Sequence, residues 1–123
     1  MIRIKKNTSA KWEHFGEIVP KLGKVFFDVV NYLSHAGFKD IVITSIIRPK
    51  KDDSGVHEAK RAIDISCTFP DEVGDDMMYW INLHYPYDRK RPQMKTIIRH
   101  VTDSYGAPVK HYHMQCTREV LDG

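Results

Sequence analysis

Two of the seven histidines in this chain stand one residue apart, in His111-Tyr112-His113, and together with His57 and Asp64 they concentrate most of its chemical potential. Two imidazoles and one carboxylate form a common zinc set, with a fourth tetrahedral position left for water. The candidate ligands are His57, Asp64 and His113. Six residues separate His57 from Asp64, enough for a loop to turn into a strand and bring both groups to one edge of a sheet. In a strand, the step from His111 to His113 puts both imidazoles on one face, so that one can bind metal while the other reaches substrate. Either half alone is a weak signal, because isolated histidines near strands are common and a bare His-x-His occurs by chance. His14, His35 and His84 have no comparable neighbours and suit surface or helix-end roles. His100 is either an exposed strand residue or an outer partner of the site.

The elements that must position these groups are legible in the spacing. From Pro20 to Gly37 the residues Leu22, Val25, Phe26, Val29, Leu33 and Ala36 recur at helical steps, with Gly37 as a left-handed stop. Asp40 to Ile47 is a β-branched run that suits a central strand ending at Arg48. Residues 49–56 are polar and loop-like. Arg61 to Cys67 alternates, with Ile63, Ile65 and Cys67 on one face and Ala62, Asp64 and Ser66 on a second, wet one. Asp71 is the expected N-cap of a second helix carrying Val73, Met77, Trp80, Ile81 and His84 until Tyr85-Pro86 breaks it. Met77, Trp80 and Ile81 are expected in the core. Tyr87 to Lys95 reads as a basic, proline-containing loop. Thr96 to Val101 and Val109 to Thr117 read as strands joined by a turn around 104–108. In the last of them His111, His113 and Gln115 share a face opposite Tyr112, Met114 and Cys116.

Length and composition agree with one α+β domain over residues 1–123, its mostly antiparallel sheet holding the site on one face and two main helices covering the other. Charged residues make up 28% and apolar residues 41%, ordinary globular usage that argues against disorder, collagen and coiled coil. No apolar run approaches the ~20 residues of a membrane helix. Met1-Ile2-Arg3-Ile4-Lys5-Lys6 lacks the apolar stretch of a secretory signal, so synthesis in the cytoplasm without membrane insertion is expected. Cys67 and Cys116 are too few for a disulfide framework and read as reduced, buried residues. A net charge of +3 permits anionic partners without requiring one. The aromatic-basic interleaving of single-strand binders is missing, which disfavours nucleic acid.

Arg48, Ser54-Gly55-Val56-His57, Arg61-Ala62-Ile63-Asp64 and His111-Tyr112-His113 together resemble the LAS-type zinc peptidases. That family includes D-Ala-D-Ala carboxypeptidases, murein endopeptidases and phage endolysins, and shares its fold with the Hedgehog signalling domain. The resemblance spans about residues 41–117. It implies a zinc ion held by His57, Asp64 and His113, with His111 as the catalytic histidine and Arg48 binding a substrate carboxylate or the developing oxyanion. Ser54 and Tyr87 are weaker substrate-binding candidates. Where the carboxypeptidase branch carries a glutamate three residues before its last ligand, this chain has Lys110, so the His-x-His branch is the nearer likeness.

The activity this implies is zinc-dependent hydrolysis of a peptide bond in the stem or cross-bridge of bacterial peptidoglycan, by a phage- or prophage-encoded enzyme acting at the cell wall. His111 would serve either as base for the water or as oxyanion stabiliser. The competing expectation is a zinc-stabilised binding module of the same fold without turnover.

Overall fold

The computed structural model describes residues 2–6, 8, 10–46, 62–66, 68–102 and 106–117. Arg48, Ser54, His57, Arg61 and Cys67 lie outside the described residues.

The first apolar stripe forms helix α1, Pro20–His35, and buries Leu22, Val25, Phe26, Val29 and Leu33. Pro20 sits in its first turn, where a missing N–H costs no bond. Gly37 follows the helix at φ 95°, a left-handed conformation that a Cβ would strain. Helix α2, Asp71–His84, buries Gly74, Met77 and Ile81.

Two expectations for α2 are corrected. Asp71 is its first helical residue and the extended Pro70 is the cap; the Asp71 carboxylate instead accepts a bond from Lys110 Nζ at 2.6 Å. Trp80 is 38% exposed rather than buried in the core. The three-residue step from Met77 carries it round to the helix flank, where it meets the Tyr32 ring and stacks on His84.

Among the described residues five strands form one mixed sheet: β1 (Ile2–Ile4), β2 (Ile41–Ser45), β3 (Ala62–Ser66), β4 (Ile97–Thr102) and β5 (Pro108–Gln115), in the order β1-β2-β3-β5-β4. Only the β1–β2 pair is parallel. Strand β1 went unread in the sequence because an Ile-Arg-Ile triplet is too short to show a period. A 3₁₀ helix at Trp12–Gly16 was likewise unread.

Strand β3 pairs with β5 so that Asp64 lies opposite His113 and Ser66 opposite His111. Strand β4 pairs with the other edge of β5, placing His100 opposite His111. Alternation then sorts the faces. Ile63, Ile65, Ile97, Tyr112 and Met114 join the core with the apolar residues of α1 and α2. Asp64, His100, His111, His113 and Gln115 share the opposite face, as the paired registers require. That face is not wet at Ala62 and Asp64, which are 0% and 2% exposed. Cys116 is buried.

Helix α2 is fastened onto β4 and β5 directly beneath the histidines. Arg99 donates from Nε to the Tyr112 hydroxyl at 3.0 Å and from Nη2 to the Asp71 carbonyl and the Asp75 carboxylate. The approach is close enough to need glycine: a Cβ at Gly74 would overlap the Tyr112 hydroxyl and stand 3.0 Å from Arg99 Nη2. Among the described residues no helix is long and apolar enough to cross a membrane.

Candidate metal centre

Residues 49 positions apart in the chain meet at the centre of the sheet: His113 Nδ1 lies 2.8 Å from Asp64 Oδ1. Both side chains are buried. On the other side of the ring, His113 Nε2 is 3.0 Å from Gln115 Oε1. The orientation of that amide is fixed from behind, because Gln115 Nε2 donates to the Lys95 carbonyl at 2.9 Å. Its oxygen therefore faces the imidazole and accepts from Nε2–H. The carboxylate of Asp64 faces the remaining nitrogen, so one proton occupies the short gap between Nδ1 and Oδ1.

Two more imidazoles continue this surface. His100 and His111, opposite each other on β4 and β5, stack with ring centroids 5.1 Å apart. His100 also meets His113 edge-on at 5.7 Å. The pKa of His100 is pushed below its ordinary value, first by partial loss of water and then by repulsion from His111 and His113, with Asp64 opposing. Three imidazoles thus cluster over one carboxylate, with His113 and Asp64 buried and His111 and His100 on the accessible side.

The pair Asp64 and His113 suits a divalent metal in kind and direction. Two donors on a tetrahedral zinc stand ~3.3 Å apart, so a cation replacing the shared proton requires the 2.8 Å gap to open by about 0.5 Å, within reach of small side-chain rotations. His57, the remaining expected ligand, lies outside the described residues, as do Arg48 and Ser54. Among the described residues no group of three or more His, Cys, Asp and Glu side chains is arranged to hold a metal ion.

The chain matches no family model, no curated protein and no solved structure.

The structure brings together Asp64, His111 and His113 and adds His100. Tyr87 stands apart from them in the loop between α2 and β4, buried beneath the Arg91 guanidinium, which lies 5.4 Å from its ring centroid. Lys110, which occupies the position of the carboxypeptidase glutamate, points to the helix side and is engaged by Asp71, so it brings no group to the site. Gln115 was missed as a functional residue. The signal was present, since His111, His113 and Gln115 repeat at a period of two on one face, but an amide names no chemistry until its partners are known.

The remaining histidines have local roles. His35 Nδ1 and His84 Nδ1 each donate to the carbonyl four residues earlier, at 2.8 Å, and His14 Nδ1 accepts from the Lys11 amide. All three serve helix ends, as their isolation in the sequence suggests.

Proposed function

We propose that this protein is a zinc-dependent peptidase that cleaves peptide bonds of bacterial peptidoglycan. The observation that supports this reading is the convergence of Asp64 and His113 on neighbouring strands, with His111 beside them on the same face. A structural ion pair would explain the first two groups. It would not explain why two further imidazoles stand on the same face, His100 edge-on to His113 and His111 stacked on His100.

In this reading Asp64 and His113, with His57, hold the metal. When bound, zinc supplies Lewis-acid chemistry, making water a stronger nucleophile at neutral pH and polarising the scissile carbonyl. The protein's own groups do the rest. Gln115 holds His113 by Nε2–H and leaves Nδ1 aimed at Asp64, which fixes the ring as a carboxylate or carbonyl partner does for metal-binding histidines elsewhere. His111, half-buried and stacked on His100, can hold or release a proton at a ring nitrogen on the accessible side. Water attack and leaving-group departure both need a group that can take and give a proton at that place. Arg48 and Ser54 are proposed to contact substrate on the strength of the family resemblance.

Purified peptidoglycan and defined muropeptides provide the test. The wild-type protein should release new amino termini, and Asp64→Ala and His113→Ala should each abolish release while remaining folded by circular dichroism. Zinc binding by the wild type with no cleavage at any pH would instead select the binding module of the same fold. Undiminished cleavage by His113→Ala would remove the proposal.

A further inference from the structure

Beyond the histidine cluster, the loop between α2 and β4 encloses a cleft of ≈ 180 Å³ whose lining includes Tyr87, Arg89, Pro92, Met94 and Lys95. This is smaller than the ~300–1,000 Å³ of drug or cofactor sites and has room for about one amino-acid residue. Its charge is one-sided. Asp88, the acid in the lining, is already neutralised: Arg91 Nε binds it at 3.0 Å and the Lys90 amide at 2.9 Å, which holds its carboxyl below the ordinary value. Arg89 and Lys95 enter no ion pair among the described residues.

The cleft is also tied to the candidate centre. Gln115, which holds His113, bonds the main-chain carbonyl of Lys95, itself one of the residues lining the cleft. One strand step of two residues is ~7 Å, so the Lys95 main chain, at the edge of the cleft, lies about two or three extended residues from His113. A peptide lying over His111 and His113 along β5 would reach it.

We infer that this cleft is a carboxylate subsite: it receives an acidic side chain or terminal carboxylate of the substrate two or three residues from the cleaved bond. The identity of the ligand as a peptide rests on the peptidase reading; the preference for a carboxylate rests on Arg89 and Lys95. A cleft whose lining combines an Arg and a Lys with Pro92 and Met94 suits an anion with a short apolar stem.

The probe is a four-residue peptide, acetyl-Ala-D-Glu-Lys-D-Ala, compared with the same peptide carrying its carboxyls as amides. Binding to the full-length protein is followed by the Arg89 side-chain resonance in nitrogen-edited NMR and by calorimetry, and cleavage is measured in parallel. The acidic peptide should bind about tenfold more tightly than the amide, the gain expected of two exposed ion pairs. The variant Arg89→Gln/Lys95→Gln, altered only in exposed side chains, should lose that preference and raise KM for the acidic peptide with kcat unchanged. Equal affinity for both peptides, or a preference that survives the double variant, overturns the subsite. Displacement by inorganic phosphate as readily as by the acidic peptide overturns it also, in favour of a phosphate site. Selective binding without cleavage leaves the subsite standing and sinks the peptidase reading; cleavage blind to the carboxyls does the reverse.

Discussion

Replacing Gly74 by alanine should loosen the platform under the histidines, and the size of the effect can be worked out. The added Cβ overlaps the Tyr112 hydroxyl and lies 2.7 Å from Tyr112 Cζ. Tyr112 cannot swing aside, because it is fully buried, stacked on Phe69 at 5.1 Å and bonded by Arg99. Overpacking of this kind costs ~1–3 kcal/mol, and losing the guanidinium–hydroxyl bond adds ~1–2 kcal/mol. Alanine's better helix propensity returns about 1 kcal/mol. The net loss is about 1–4 kcal/mol, centred near ~2.5, or roughly a 10 °C fall in Tm at the centre for a domain of this size. Urea unfolding followed by circular dichroism measures it directly. The same substitution in a Tyr112→Phe background meets no hydroxyl and should cost at least ~1 kcal/mol less, a coupling well outside the ~0.5 kcal/mol scatter of independent sites. Additive costs in that cycle, or a Gly74→Ala protein as stable as wild type, would refute the close approach of α2 to β5.

Other perturbations follow from the same contacts. The Tyr85 hydroxyl donates to the Asp28 carboxylate, which pushes its pKa from 10 up to about 12. Because the folded value is the higher one, its stabilisation is complete below pH 10 and is lost as pH rises toward about 12. The stability gap between wild type and Tyr85→Phe should therefore close over that window, and a gap independent of pH would contradict the assignment. Asn82 accepts from the Thr96 and Ile97 amides through Oδ1 and donates to the Ile97 carbonyl. Asn82→Ala should accordingly cost ~2–3 kcal/mol and speed amide exchange at the start of β4; unchanged protection there would discount it as the anchor. Gln115→Met leaves the buried His113 Nε2–H without its acceptor and should destabilise by ~1–3 kcal/mol, with a shift of the His113 ring resonances in NMR that a mere surface residue would not produce.

Much of this arrangement could be read before any coordinates, because period is a local property. The stripe Leu22-Val25-Phe26-Val29-Leu33 and the two-residue alternation of 62–66 and 111–115 carry their faces with them, and so Asp64, His111 and His113 were placed on the correct side. What could not be read depends on pairing across the chain. The strand order that sets Asp64 against His113 and His100 against His111 is a tertiary fact. So are Gln115's partners, the Tyr85–Asp28 bond, and the closeness of α2 that makes Gly74 necessary. The expected wet face of β3 failed for a similar reason: alternation shows which side chains share a face, and only what packs over that face decides whether water reaches it. Trp80 failed because helical spacing places a residue at the margin of a stripe without saying which neighbour will cover it.

The central claim is that Asp64 and His113 are metal ligands, and the zinc content of the purified protein tests it most directly. After dialysis against buffer free of chelator, the wild type should retain one zinc per chain, with X-ray absorption showing nitrogen and oxygen donors near ~2.0–2.1 Å and no sulfur. His113→Ala and Asp64→Ala should retain none, since each lost donor weakens binding severely. A wild-type protein that takes up no zinc, or a His113→Ala protein that holds it as tightly, would contradict the account.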